Sequence, residues 1–443
     1  MKHPIGKTPP TVSHGKGIFL FDTEGRDYID GSSGAMTANI GHGVEEIADV
    51  MHRQAKEVAF AFFNQFSNFP AEELARKLAS LAPGDLNWVS FVNSGSEAAE
   101  YAIRLVLTYW RAKGRPEKVK ILGRHTSYHG VTMGAISMSG HPARRADYGP
   151  LLHPFLVVAP AYAYRHAGDL SEAEYALQCA REWEAAIIRE GPETVAAVIA
   201  EPIVGAAGGV LVPPEGYFKL LRDVCDRLDV LLIMDEVITG LGRTGAWFAS
   251  ADEGIVPDVI TTGKGTSAGY APMAAVIVRQ PVVEALQAAS VAPPYGHTFS
   301  GNPVGAAVSL AVLNYVEREN LIDNAKARGQ EIKTGLEALA QRYSHMVDVR
   351  GRGLLWGFEF VMDRASRQAP GEKRNTSLLF VADCFQNGLI VYPAGVAPLN
   401  NAVLISPPLT ISQEEVKELL RRLDVALNIM EKRIDGWVLE ERC

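Results

Sequence analysis

Two short apolar runs constrain this chain more than any other feature. Val230-Leu231-Leu232-Ile233-Met234 ends at Asp235, and Val259-Ile260-Thr261-Thr262 leads through Gly263 to Lys264. Runs of this length, rich in β-formers and bounded by turn residues, predict strands buried on both faces. Ligands of open α/β sheets bind beyond the carboxyl ends of such strands. Asp235 and Lys264 can therefore meet at one sheet edge. By themselves the two residues suit a structural ion pair as well as a reactive site.

The reactive alternative has a definite chemistry. Burial lowers the basicity of a lysine from its usual pKa of about 10.4, and the neutral amine can then form a Schiff base with an aldehyde. An aspartate against a pyridine nitrogen keeps that nitrogen protonated, so that the ring withdraws electrons from a carbanion. Pyridoxal phosphate needs both groups, together with a phosphate cup and a ring-stacking residue.

The flanking chain offers candidates for each. Trp88–Val92 reads as a strand, followed by Asn93-Ser94-Gly95-Ser96-Glu97 and then helical periodicity through Tyr109. Strand, small polar loop and helix start make an anion site, because free N–H groups and the helix dipole converge there. Ser94-x-x-Glu97 also fits a plain capping box. Val119–Leu122 is a further strand and runs into Ser127-Tyr128-His129-Gly130. Tyr128 is either a cofactor-stacking ring or a half-buried core tyrosine. His125 and His129 lie four apart but lack the glutamate of a helical zinc motif, which disfavours metal. The strand Thr194–Ala200 ends at another carboxylate, Glu201. Thr298 sits in a polar turn, 296–303, where its hydroxyl can reach a phosphate.

Strands and helices alternate from 88 to 278, the mark of a largely parallel sheet. Before it come a Gly/Pro/Lys-rich arm (1–17), a hairpin over 18–30, and helices at 44–58 and 71–81. Ala161–His166 reads as a loop. After the sheet come helices at 304–319 and 321–342, strands within 347–360, a helix at 376–387, strands at 389–392 and 402–405, and a last helix at 412–432. Gly240-Leu241-Gly242-Arg243-Thr244-Gly245 spells GxGxxG, the sign of an NAD-dependent oxidoreductase. A dinucleotide fold wants the first glycine at the strand end and a helix opening inside the motif, and neither is predicted here.

At 443 residues the chain exceeds one ordinary core, so two domains are expected. A net charge of −8 argues against nucleic acid and anionic membrane as partners. No apolar run approaches the roughly 20 residues of a membrane span. Cys179, Cys225, Cys384 and Cys443 are widely spaced, and the start lacks the apolar core of a signal peptide. The expected location is the cytoplasm.

With these residues in place, the chain resembles the class III, or ω-type, aminotransferases of the fold-type I pyridoxal-phosphate group. The resemblance covers about residues 15 to 432. It rests on NSGSEAAE (93–100), SYHG (127–130), AEPIVG (200–205), LIMDEVITGLGRTG (232–245), TTGKG (261–265), HTFSGNP (297–303) and RGRGLLWG (350–357) in that order. It implies an α/β architecture, with a large domain at 45–318 around a mostly parallel sheet. A small α+β domain would be formed by 1–44 and 319–443. The resemblance further implies pyridoxal phosphate bound through Lys264, which would also shuttle the proton at Cα. Asp235 would hold the pyridine nitrogen, Val237 and Tyr128 would cover the two ring faces, and Ser94, Gly95 and Ser96 would hold the phosphate. His129 and Glu201 would complete the cofactor site. Thr298 would come from the partner subunit of a homodimer with shared sites, or of a dimer of dimers. The implied reaction moves an amino group from an amine or amino acid donor to a keto acid such as pyruvate. An aminomutase, decarboxylase or racemase could use the same scaffold.

One departure bears on the substrate. Many relatives carry an arginine a few residues before paired prolines, where it grips a substrate carboxylate. Here Leu404 takes that place before Pro407-Pro408, and no arginine lies between 375 and 420. Glu201, expected as that arginine's partner, would be left without it. Arg144, Arg145 and Arg165 are the candidate replacements.

Overall fold

A computed structural model describes residues 8–155 and 157–442. Its centre is a seven-stranded sheet in the order Leu86–Val92, Ala274–Arg279, Val259–Thr261, Leu231–Asp235, Val195–Ala200, Lys120–Arg124, Val157–Val158. Ala274–Arg279 is antiparallel to both its neighbours, and every other pairing is parallel. The central strands are buried on both sides, and their side chains divide by the period of two. Leu232 and Met234 pack on one face with Trp183, Phe218 and Leu221, from the helices Glu172–Glu190 and Tyr217–Arg227. Leu231 and Ile233 pack on the other with Ala98, Ala102 and Leu105, from the helix Gly95–Ala112. Helices on both faces explain why these strands read as unbroken apolar runs.

Two smaller sheets flank this layer. Val12–Lys16, Phe19–Asp22, Asp27–Asp30 and Leu389–Ile390 form one, in which residues near the two ends of the chain pair in parallel. Met346–Arg352, Leu355–Phe360, Ala402–Ile405 and Tyr392–Ala394 form the other, all antiparallel.

The structure departs from the sequence reading in several places. The expected arm is a strand over Val12–Lys16, polar and mostly exposed because it lies at a sheet edge; residues 1–7 lie outside the described residues. Ala163–His166 is a short helix, not a loop. The expected strand over 389–392 splits between the two small sheets. The strand at the far edge of the central sheet spans Val157–Val158; Leu156 and Cys443 lie outside the described residues. The last helix runs over Gln413–Arg442, beyond the expected 412–432, because Ile434, Trp437 and Val438 continue its apolar stripe onto the core.

Gly240–Gly245 is a series of turns, and the next helix, Ala249–Asp252, begins outside it, so the dinucleotide geometry is not met. Arg243, fully buried there, instead donates to the carbonyls of Leu354 and Pro407 and to Asn39 Oδ1. Among the described residues no helix is long and apolar enough to cross a membrane.

The packing of the central strand gives a direct test. Leu232→Ala removes a side chain with no exposure and is expected to cost about 2–5 kcal/mol. Leu439→Ala, at a site 62% exposed, is expected to stay within ~0.5 kcal/mol. Thermal melts of the two variants check the contrast; equal shifts would contradict this account of the core.

Candidate active site

The carboxyl ends of the parallel strands deliver the site. Asp235 closes its strand and pairs in register with Thr261, three residues before Lys264. Glu201 follows the neighbouring strand, and Ser127 to Gly130 follow Lys120–Arg124. The helix Gly95–Ala112 points its N-terminus at the same space. One pocket is lined by Ser94, Gly95, Ser96, Tyr128, His129, Gly130, Glu201, Ile203, Asp235, Val237, Ile238 and Lys264. Nine of the ten residues singled out from the sequence are therefore gathered there. Thr298 is the exception: it is exposed in the turn beyond Ala274–Arg279 and does not line the pocket.

Asp235 is the most firmly held group. It is 4% exposed. Its Oδ1 accepts from the Val237 N–H at 3.1 Å and the Thr261 hydroxyl at 3.2 Å. Its Oδ2 lies 2.7 Å from His129 Nδ1, which must carry the hydrogen because a carboxylate only accepts. The His129 side chain has no exposure, and its own backbone N–H is fixed by Ser139 Oγ at 2.8 Å. His125 is exposed, so the two histidines do not share a site.

The helix start supplies an anion cup. Ser94 caps it by accepting from the Glu97 N–H at 3.2 Å, while Glu97 Oε2 accepts from the Asn93 N–H at 2.7 Å. The cap thus coexists with N–H groups free to face a ligand. Ser96 Oγ accepts from the Val131 N–H at 3.1 Å, which leaves its hydroxyl hydrogen to donate. Gly130 permits this contact: its φ is +135°, and a Cβ there would lie 2.6 Å from Ser96 Oγ. A Cβ on Gly95 would press within 3.0 Å of Val237.

Lys264 begins a short 3₁₀ turn with φ of +39°, a left-handed conformation that is costly for a residue with a side chain. Burial pushes its amine down from the ordinary lysine value, against the charges of Asp235 and Glu201. That is the direction a nucleophilic amine needs. Glu201 is pushed up to about 7, first by burial, while His129 and Arg124 oppose the shift. Asp235 adds to the upward shift. Glu201 Oε2 and His129 Nε2 are both buried and without a hydrogen-bond partner among the described residues. Unmatched buried polar atoms around a cavity mark the place of a missing polar ligand. Cup, held carboxylate, depressed amine and half-buried aromatic Tyr128 together fit pyridoxal phosphate.

The sequence did not single out Ile203 or Ile238. Both isoleucines pack in an apolar cluster with Leu404, which is fully buried, and with Ala206 and Tyr392. Their position just after strand-end carboxylates was the available signal.

Comparison with known proteins agrees with this geometry. The model of the family described as aminotransferase class-III matches residues 2–427. The chain is a class III aminotransferase. It is 36% identical to the putrescine–pyruvate aminotransferase of Pseudomonas aeruginosa, covering 92% of this chain and 88% of that one. It superposes on an (S)-enantioselective ω-transaminase from Thermomicrobium roseum with a TM-score of 0.91 at 37% identity, over 97% and 96% of the two chains. It also matches the ω-transaminase of Pseudomonas jessenii in complex with PMP, with a TM-score of 0.91 at 33% identity, over 98% and 97%. This aminotransferase is therefore a fold-type I enzyme that depends on pyridoxal phosphate.

Glu201 yields a pH prediction. Its folded pKa of about 7 lies above the ordinary carboxyl value of 4.5, so folding favours the protonated form. The stability it contributes is complete below 4.5 and is lost as pH rises through 7, by up to about 3 kcal/mol. Glu201→Gln cannot ionise. Its stability relative to the natural enzyme is expected to rise between pH 5 and pH 8 in denaturant melts, and a constant difference would contradict the assignment.

Proposed function

We propose that this transaminase moves an amino group from an amine or ω-amino acid to a keto acid such as pyruvate. The observation that carries the reading is that Ile203 and Ile238, which line the pocket, are backed by the fully buried Leu404 in an apolar cluster. An arginine in the place of Leu404 would favour donors with a carboxylate beside the reacting carbon, whereas leucine favours an uncharged end. The name of the Pseudomonas aeruginosa relative supports both halves: putrescine has no carboxylate, and pyruvate is the acceptor.

The roles of the residues follow from their chemistry. When bound, pyridoxal phosphate supplies an aldehyde carbon that condenses with amines and a ring that withdraws electrons. Lys264, whose buried amine is depressed in basicity, would hold that carbon and would carry the proton at the donor carbon. Asp235 would hold the pyridine N–H, and His129 fixes the Asp235 carboxylate through its Nδ1. Val237 and Tyr128 would cover the ring. Ser94, Gly95 and Ser96 would hold the phosphate at the helix N-terminus, and Glu201, whose Oε2 is without a partner among the described residues, would contribute a polar contact to the cofactor.

The assembly belongs to the same proposal. Phe66 (68% exposed), Phe69 (84%), Tyr295 (71%) and Phe299 (60%), next to Thr298 in sequence, are large aromatic side chains left exposed on the single chain. Aromatic surface of this kind is covered in a stable protein. A second copy of the chain seated there would bring Thr298 to its partner's phosphate cup and make a homodimer, alone or as half of a tetramer. The division into a large domain, 45–318, and a small one from 1–44 and 319–443 is supported by the pairing of Asp27–Asp30 with Leu389–Ile390. Free, buried Cys179, Cys225 and Cys384 favour the cytoplasm.

The test supplies the purified enzyme and its cofactor with 1,4-diaminobutane or butylamine and pyruvate, and measures alanine. Alanine is expected from the natural enzyme and is expected to vanish in Lys264→Ala. Nitrogen transfer from α-amino acids alone would overturn the donor assignment, and an active Lys264→Ala would overturn that of the lysine.

A further inference from the structure

A keto acid acceptor brings a carboxylate into a pocket that already holds two acids, Glu201 and Asp235. The basic residues of the lining are Lys264 and His129. His129 is bonded to Asp235, and Lys264 is committed to the cofactor. A carboxylate leaving water here needs a cation from just outside the lining. Leu404, buried among apolar side chains, cannot supply one.

The neighbouring arginines are mostly engaged. Arg124 donates to the Glu201 carbonyl. Arg145 donates to the carbonyls of Ile136, Ser137 and Ser139 at 2.8, 3.0 and 2.9 Å. Arg165 pairs with Glu359 at 3.1 Å, and Arg350 donates to the carbonyls of Gly208 and Gly209. Arg144 is placed differently. Its guanidinium carbon lies over the Tyr128 ring, 4.1 Å from the centroid, and Tyr128 lines the pocket. A guanidinium resting on an aromatic face keeps its N–H donors at its rim, in the fork that matches a carboxylate. His141, on the same segment, is pushed down to about 4 by burial and then by Arg144, so it is neutral and no rival cation.

We propose that Arg144 is the specificity-determining residue that fixes the carboxylate of the keto acid acceptor at the mouth of the pocket, on the Tyr128 ring. The inference rests on the transaminase reading above and deepens it: donor and acceptor are recognised by different walls. The apolar wall of Ile203 and Ile238, backed by Leu404, takes the amine donor, and Arg144 takes the acid. Loss of Arg144 therefore damages the half of the reaction that consumes the keto acid and spares the half that consumes the amine.

The experiment uses the cofactor-loaded enzyme and two variants. Arg144→Gln removes the charge and the fork. Arg144→Met keeps an apolar stem over Tyr128 and answers the case in which the glutamine variant does not fold. Three quantities are read: the KM for pyruvate, the rate at which butylamine alone bleaches the visible band in a single turnover, and the calorimetric Kd of propanoate, an unreactive carboxylate. The KM for pyruvate and the Kd of propanoate are expected to rise by about tenfold or more. The butylamine rate is expected to stay within about twofold, and Arg144→Lys is expected to recover part of the loss. Unchanged pyruvate and propanoate constants in a folded variant would overturn the proposal. Equal loss of both half-reactions would also overturn it, because it would make Arg144 a support for Tyr128. If the natural enzyme passes no nitrogen from any amine to pyruvate, it is the donor and acceptor reading that fails.

Discussion

The contact between Asp235 and His129 is the constraint on which the site depends. A carboxylate 4% exposed at a strand end is costly unless each oxygen is matched. Here the Val237 N–H and the Thr261 hydroxyl serve one oxygen, and the His129 N–H serves the other at 2.7 Å. Each partner belongs to a different element: the turn after the strand, the adjacent strand, and the loop after Lys120–Arg124. The sheet must therefore form in its register before Asp235 is stable, and the same register places Lys264 and the helix N-terminus around it. Structure and reactivity share one set of bonds.

That arrangement also shapes selectivity. The pocket combines acids with an apolar wall, an environment that welcomes a cationic or neutral amine and resists a carboxylate. Transamination still requires an acid to enter as acceptor. A cation held at the edge, where it is partly solvated, can receive the acid without being buried unpaired in its absence. Arg144 on Tyr128 meets that condition, whereas a cation at Leu404 would be fully enclosed.

Much of this was legible in the sequence because the signals were local. The apolar runs ending at Asp235 and Glu201, and the step from Trp88–Val92 into a capped helix, each occupy a few consecutive residues and follow from periodicity and turn chemistry. What was not legible depended on contacts distant along the chain. His129 was visible as one letter of a motif, but its bond to Asp235 spans 106 residues. Arg144 was one of three equal candidates until the fold engaged Arg145 with carbonyls and Arg165 with Glu359. The GxGxxG letters could be discounted from spacing, yet their use, a turn that buries Arg243 against Pro407 and Leu354, appears only in three dimensions. The strand at Val12–Lys16 was missed because an exposed edge strand has no apolar alternation to betray it.

The central claim is that Lys264 is the amine that holds the cofactor. Borohydride reduction of the cofactor-loaded enzyme, followed by proteolysis and mass spectrometry, tests it most directly, because reduction fixes the cofactor on whichever amine it is bonded to. The account predicts the added pyridoxyl mass on the peptide containing Lys264 and on no other. The mass on a different lysine, or on none while the loaded enzyme remains active, would contradict it.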